Sequence, residues 1–549
     1  MPRPSRARPT TAVCLCLAVA AAVLDTLCFN WTWPDGKDNA QYYLAARSLA
    51  DGRGYASLDG PAPGPERRTP VGLPLLLAPV LRLTGGGVYA AQVAILLMHV
   101  AAVGAAFLWL RKATERSVFW CAAATVVGWF GGWMLFYSST IMADVPYAAL
   151  SLGVLLLLDG PRSSRASGRW LAAGLLAGFA YLVRSVGLSL ILAAVLCGAF
   201  RRDWKRAGWF AAGALCVAVP WWIRNLRVAG VPEVYLLQAG GAGGAGLLQM
   251  ALHNLLEALP GYFGRLLPGA MFYQLFGGKN LLAAAVGTSG ALAVKIVLLG
   301  LVLAGWVSAV RRLTLPGLYW PLYWLILSVF TVDYDSVRYV LPIVPVAALF
   351  LCSSASAAAA RALALAGRSE PGARRGGEAA VGLLAGVVLL LAGSAAAARF
   401  AKQARFLGEK PWAAIRYLST GNPYDAAFAR FADAGEWIAE NAPPDAWVVS
   451  RVPQQMTFFS GRRGWRYDFA EMPGTNVWDR IERAARNREV LIVQDAFPAD
   501  STFGRSRLQV LDPALEAHRS ALEPAFATQA PTTRVWRAVR DAAGEVRRP

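Results

Sequence analysis

The sequence predicts a polytopic α-helical membrane protein followed by a small extracytoplasmic α/β domain at its C-terminus. Three observations predict it. Apolar stretches close to the ~20 residues needed to cross a bilayer recur from the N-terminus to about Phe400. Arginines gather in the short loops between alternate stretches, as the positive-inside rule requires. Beyond Phe400 the texture changes to dispersed charges, prolines and short apolar runs, over a length sufficient for a separate folded domain. The 549-residue chain is 56% hydrophobic with a mean hydropathy of +0.41. Only 16% of it is charged, against roughly 25% for a soluble domain.

The first apolar run, TAVCLCLAVAAAVLDTLCF, follows Arg3, Arg6 and Arg8 and continues past a cleavage-like AVA. It reads as an uncleaved signal anchor with its N-terminus inside and Trp31 and Trp33 at the outer interface. A span near Val88–Leu110 returns to an inside loop with Arg111, Lys112 and Arg116. Phe119–Phe136 goes out and Val145–Leu158 comes back to Arg162, Arg165 and Arg169. Leu171 to Phe200 is too long for one span and short for two. Both of its flanks are basic, Arg169 before and Arg201, Arg202, Lys205 and Arg206 after, so two spans must meet at an outer turn near Arg184. A span ending at Arg224 leads to a long outer loop. Inside loops follow at Arg311–Arg312 and Arg361–Arg375, and the last span runs from about Val381 to Ala398. The expected total is about eleven spans, N-terminus cytoplasmic and C-terminal domain extracytoplasmic. The expected domains are 1–400, with outer loops at 31–87 and 225–289, and 401–549. In the tail, a helix, a Pro-Pro-Asp turn and a strand are followed by a second helix and strand, which gives a small α/β layer.

The net charge of +20 goes with arginines clustered between the apolar runs, as the positive-inside rule requires. The tail has no basic stripe interleaved with stacking aromatics, so no nucleic-acid partner is expected. His99, His253 and His518 lie far apart, and the seven cysteines fall at or before Cys352 without paired spacing. Neither a metal site nor a disulfide framework is implied.

This threading sets several ionisable residues at the outer membrane boundary: Asp38, Asp144, Arg184, Arg224 and Arg338. Lys37, Arg67 and Arg68 join them from the first outer loop. Ionisable groups at membrane depth are costly and mark candidate sites. Carboxylates with several guanidiniums suit a phosphorylated substrate attacked by a hydroxyl. Arginine grips phosphate oxygens in a bidentate fork, and a carboxylate can take the hydroxyl proton. Each residue also has a structural reading. Asp38, with Gln41 three residues on, fits a capping box on a helix that Gly52 and Gly54 would end. Asp144, before Val145-Pro146, fits a helix cap with proline in the first turn. The arginines could snorkel as interface anchors. The glycine-rich run Ala239–Leu248 lacks the GK[ST] of a phosphate loop and reads as a flexible segment.

Six segments, in order, resemble the GT-C membrane glycosyltransferases, specifically the bacterial dolichyl-phosphate-mannose:protein mannosyltransferase-like and aminoarabinose transferase-like group. They are DNAQYYLAARSLADGRGY, RRTPVGLPLLLAPVLRL, YSSTIMADVPYAALSLGVLLLL, GLLAGFAYLVRSVGLSLILAA, VPWWIRNLRVAGVP and SVRYVLPIVP. The resemblance implies a GT-C-like fold and transfer of a hexosyl or pentosyl group from a polyprenyl-phosphate-linked donor. It implies Asp38 as catalytic base, Asp144 as second acid, and Arg184, Arg224 and Arg338 on the donor phosphate. Lys37, Tyr42, Tyr43, Arg67, Arg68, Asn225 and Tyr339 become substrate-loop candidates. Where many relatives carry two adjacent acids this chain has Asp38-Asn39, and VGLP replaces the usual GYP. No cofactor is required; a divalent metal could be accommodated, but nothing indicates one. The acceptor, whether protein, lipid or polysaccharide, is not specified. Two other functions fit a chain of this class, a transporter or flippase for a lipid-linked sugar and a non-catalytic membrane scaffold with a degenerate GT-C site. Against the first stands the lack of an internal repeat.

Overall fold

The computed structural model describes residues 7–29, 37–58, 64–67, 69–159, 167–231, 243–258, 281–329, 337–404, 423–467, 477–499 and 507–539. The chain divides into two compact units. One comprises Met1–Phe29, Pro70–Leu73 and Ala90–Ala401, and the other Asn30–Thr69, Pro74–Tyr89 and Lys402–Pro549. Most of the segment expected as the first outer loop, residues 31–69 and 74–87, thus groups with the C-terminal residues.

Helices α1 (Ala7–Leu27) and α2 (Lys37–Ala50) are followed by a two-residue ribbon, β1 (Ala56–Ser57) and β2 (Gly64–Pro65). Next come α3 (Gly72–Leu83), α4 (Val88–Thr114), α5 (Val118–Trp129), α6 (Gly132–Tyr137), α7 (Asp144–Leu158), α8 (Ser167–Val183), α9 (Leu188–Phe200) and α10 (Trp204–Ala229). The bundle continues with α11 (Gly243–His253), α12 (Leu281–Arg311, kinked at Gly287), α13 (Leu315–Ser328), α14 (Val344–Leu365) and α15 (Glu370–Gln403). Among the described residues five helices are long and apolar enough to cross a membrane: Pro9–Leu27, Val88–Thr114, Gly287–Arg311, Arg338–Leu365 and Glu370–Ala401. Shorter apolar helices include Val118–Trp129, Asp144–Leu158, Ser167–Val183 and Ser185–Phe200. Of the long outer loop expected over 225–289, residues 232–242 and 259–280 lie outside the described residues, as do Trp31, Trp33 and Arg68. The glycine-rich run continues into α11, whose first residue is Gly243.

The ambiguous stretch at Arg184 is two helices. A β-carbon on Gly174 would lie 2.0 Å from the Phe210 carbonyl oxygen, and one on Gly178 would lie 2.7 Å from that of Ala214. Further along, the Trp222 indole donates to the Tyr181 hydroxyl at 2.8 Å. The contact positions rise together, so α8 and α10 run parallel, and α9 between them must run back. Small residues at four-residue spacing allow such close approach of membrane helices. The reversal itself is tight: a β-carbon on Gly187 would lie 2.8 Å from the Tyr181 Cα.

This pairing gives the bundle a basic end. The Trp109 indole donates to Asp159 (3.0 Å), Lys112 to the Leu156 carbonyl (2.7 Å) and Arg169 to the Asp159 carbonyl (3.5 Å). Ser117 joins Glu378 at 2.9 Å, and Arg201 donates to the Leu313 carbonyl in the α12–α13 turn at 2.9 Å. The loops whose arginines mark the inside by sequence are therefore tied to one another in the structure.

The C-terminal domain adds α16 (Pro423–Asn441), β3 (Trp447–Ser450), α17 (Pro453–Ser460), β4 (Arg463–Arg466), α18 (Val477–Ala485), β5 (Val490–Gln494), α19 (Asp512–Ala517), β6 (Leu522–Ala527) and β7 (Arg534–Ala538). The sheet order is β4-β3-β5-β7-β6. β3 pairs parallel with both β4 and β5, which requires the helical crossovers α17 and α18. β6 and β7 form an antiparallel hairpin against β5. Val449, Ile492, Trp536, Trp478, Ile481 and Leu515 fill its core.

Candidate active site

At the end of the membrane bundle opposite the basic loops, the buried segment 138–143 delivers the chain into α7. Asp144 is the first helical residue. The residue before it, Ala143, makes no side-chain cap, so the capping reading of Asp144 is corrected. The carboxylate turns instead to Arg184, whose Nη1 donates to Asp144 Oδ1 in an ion pair; the two side chains are 2% and 14% exposed. Arg184 can reach it because it interrupts the helix. Its backbone is extended (φ −147°, ψ 128°) between α8 and the 3-10 turn Ser185–Gly187.

A second 3-10 turn, Val337–Ile343, brings Arg338 and Tyr339 to the same place. The guanidinium carbons of Arg184 and Arg338 lie 5.7 Å and 5.1 Å from the centre of the Tyr339 ring. Arg338 also donates to the Met142 sulfur (3.7 Å) and the Tyr339 hydroxyl (3.5 Å). The buried Tyr323 fixes this turn by donating to the Tyr339 carbonyl at 2.6 Å. Beneath it the hydroxyls of Tyr147 and Tyr319 are 2.9 Å apart. The described residues bring one carboxylate and two guanidiniums together here. Arg184 spends one nitrogen on Asp144, and its other N–H groups have no protein acceptor among the described residues. Such a centre can take an anion with several acceptor oxygens.

Arg224 and Asn225 are set at the level of Arg184 by the parallel pairing of α8 and α10. Arg224 donates to Asn225 Oδ1 at 3.1 Å and lies 5.1 Å from the Trp221 ring centre, and Asn225 is fully buried.

The first-loop candidates belong to the other unit. Helix α2 begins at Lys37, so Asp38 lies inside its first turn and not at the N-cap, which corrects the capping reading there as well. A carboxylate in that turn is favoured by the helix dipole. Asp38 is half-buried, and Asn39 and Tyr42 are buried. Gly52 (φ +73°) and Gly54 (φ +76°) follow the helix as expected. Tyr43 donates to the Gly86 carbonyl at 2.7 Å, and Arg67 is exposed. The side chain of Lys37 lies outside the described residues.

Sequence reasoning missed three features. Glu66, 2% exposed, accepts from Gln41 Nε2 at 3.2 Å, one turn after Asp38. Arg399 packs 5.2 Å from the Phe136 ring centre. Inside the bundle, Asp25 Oδ2 and His99 Nδ1 lie 2.7 Å apart, both fully buried. An aspartate in the first apolar run was the available signal for that pair. The described residues hold no group of three or more carboxylates, imidazoles and thiols placed to bind a metal.

No family model matches the sequence, and no curated protein matches it either. Solved structures do match the fold. ArnT from Cupriavidus metallidurans, bound to undecaprenyl phosphate, aligns over 97% of this chain and 99% of its own at 14% identity, with a TM-score of 0.58. An oligosaccharyltransferase of Archaeoglobus fulgidus, in complex with zinc and sulfate, aligns over 95% of this chain and 72% of its own, at 15% identity and a TM-score of 0.55. AglB from the same organism, in complex with an inhibitory peptide and a dolichol-phosphate, covers 87% and 69% at 14% identity and a TM-score of 0.51. The chain has the fold of the GT-C membrane enzymes, a mostly helical bundle with a sheet-containing C-terminal domain.

Proposed function

We propose that this protein is an inverting glycosyltransferase that moves a sugar from a polyprenyl-phosphate donor to an acceptor hydroxyl at the outer face of the cell membrane. The observation that carries the reading is Arg184, held by Asp144 beside Arg338 and Tyr339, with N–H groups that find no acceptor among the described residues. Lipid phosphates bound by two of the structural neighbours, undecaprenyl phosphate and a dolichol-phosphate, have the chemistry this centre would take. The N-terminus is cytoplasmic in this proposal and the C-terminal domain extracytoplasmic, as the basic loops require.

In the proposed reaction Arg184, Arg338 and Arg224 hold the donor phosphate. Asp144 is a positioning residue that fixes the Arg184 guanidinium. Asp38 takes the proton of the acceptor hydroxyl as its oxygen bonds to the anomeric carbon from the face opposite the phosphate. The bond from that carbon to the phosphate oxygen breaks, its electron pair stays on oxygen, and polyprenyl phosphate leaves. Three charge-assisted contacts stabilise the leaving anion, each typically worth about 1.5–3 kcal/mol.

The test offers membranes containing the protein a panel of polyprenyl-phosphate hexoses and pentoses and measures release of polyprenyl phosphate. Release from at least one donor supports the reading. Movement of the lipid-linked sugar across the bilayer without release would replace it by a flippase.

A further inference from the structure

We infer that the C-terminal domain holds the acid-bearing helix α2 in place, and that Tyr43 and Phe458 are positioning residues for the transfer reaction. This inference rests on the proposed role of Asp38. Helix α2 has 14 residues, a length at which an isolated helix is marginal in water. Its stability and direction must come from what it packs against, and those contacts lie within one compact unit.

On one side, Tyr43 meets Phe458 of α17 edge to face, with ring centres 5.2 Å apart and planes at 88°. Phe458 meets Phe459 at 5.2 Å, and Phe459 meets Phe428 of α16 at 5.9 Å. An aromatic ladder thus runs from α2 through α17 into the domain core. Its far end is rigid. A β-carbon on Gly435 of α16 would lie 2.5 Å from the Phe459 Cβ, and Thr457 Oγ1 accepts from the Gly464 N–H at 2.8 Å, which ties α17 to β4. On the other side, the Tyr43 hydroxyl donates to the Gly86 carbonyl and Arg47 to that of Gly85, at 2.7 and 2.9 Å. Tyr43 therefore has its ring on the C-terminal domain and its hydroxyl on the turn before α4. Asp38 lies five positions earlier, about 7.5 Å along the axis. A small tilt at Tyr43 displaces the Asp38 carboxylate, and a displacement of about 1 Å can cost on the order of a hundredfold in rate.

The experiment compares wild type, Phe458→Ala, Phe458→Tyr and Tyr43→Ala in the full-length membrane protein. Two quantities are read, amide exchange over Lys37–Ala50 and steady-state kinetics with a donor that the wild type turns over. Expected are faster exchange in α2 and a kcat lowered about tenfold or more in both alanine variants, with donor KM within about threefold. Phe458→Tyr should restore most of both, and the double alanine variant should be no slower than the worse single one. A Phe458→Ala protein with wild-type exchange and wild-type kcat would overturn the inference and leave the proposed reaction standing. Faster exchange in α2, in a protein whose wild type releases no polyprenyl phosphate from any donor, would keep the coupling and remove the reaction. If Phe458→Ala does not accumulate, Phe458→Leu and Tyr43→Phe carry the same comparison.

Discussion

Asp144 and Arg184 are 40 residues apart in sequence and form an ion pair in which the carboxylate is 2% exposed and the guanidinium 14%. Two interruptions of helical structure make the pair. The turn before α7 places a carboxylate at a helix start, and the break after α8 frees a guanidinium to meet it.

Replacing Asp144 by alanine should therefore act through Arg184. It leaves a largely buried cation without its counter-charge, and breaking such a pair typically costs about 3–5 kcal/mol. Asp144→Asn keeps an acceptor for Arg184 and should cost less. Thermal unfolding in detergent gives the order wild type, Asn, Ala. Equal stability for all three would mean that the pair holds nothing.

Arg338 lies on the Tyr339 ring and within reach of Met142. Arg338→Ala should weaken binding of the lipid-phosphate donor about 10- to 100-fold, the value of one charge-assisted contact. Lysine should rescue only in part, because a point charge cannot reproduce the planar fork. Donor titration checks both. Unchanged affinity in both variants would make Arg338 an interface anchor.

The Asp25–His99 pair makes a separate claim about stability. His99 Nε2 lies 3.2 Å from the Trp129 carbonyl and Nδ1 lies 2.7 Å from Asp25 Oδ2, so the imidazole bridges α1 and the end of α5. His99→Leu alone should destabilise the bundle by about 3–5 kcal/mol, since it strands a buried carboxyl. The double change Asp25→Leu, His99→Leu should recover much of that loss. A double variant as unstable as the single would show that something other than the pair sets the cost.

Much of the bundle was legible because lipid and charge leave period-independent marks. The reversal at Arg184 followed from basic flanks alone, without any helix-end signal. The ion pair at Asp144 was not legible, because Asp-Val-Pro fits both an N-cap and a first helical residue, and its partner is distant in sequence. Glu66 sat unremarked beside Arg67 and Arg68, since nothing local marks a carboxylate as buried. In the tail, the two helix–strand units were readable from their apolar runs. β6 carries Pro524 and an irregularity between Pro524 and Phe526, and β7 (Arg-Val-Trp-Arg-Ala) breaks the polar–apolar alternation of a strand within five residues, so the hairpin gave little signal.

Asp495 gives the C-terminal domain a pH dependence. Burial pushes its carboxyl up to about 7, against the opposing effects of the Phe497 N–H and the charge of Arg507, while Asp512 adds to the rise. The folded state then holds a proton that the unfolded chain releases near pH 4. Stability should fall as pH rises from about 4 to 7, by at most about 4 kcal/mol, and level off above that. Asp495→Asn should flatten the slope in unfolding of the full-length protein between pH 5 and 8. An unchanged slope would assign it to another group.

The most direct measurement is donor turnover by Asp38→Asn. The substitution keeps the size of the side chain and replaces a carboxylate in the first turn of α2, where the helix dipole favours negative charge, by a neutral amide. Loss of a proton acceptor typically costs about a hundred- to ten-thousand-fold in rate. The predicted result is a folded, membrane-inserted protein that binds polyprenyl-phosphate sugar with wild-type affinity and releases polyprenyl phosphate at least about a hundredfold more slowly. Wild-type release by Asp38→Asn would contradict the general-base assignment.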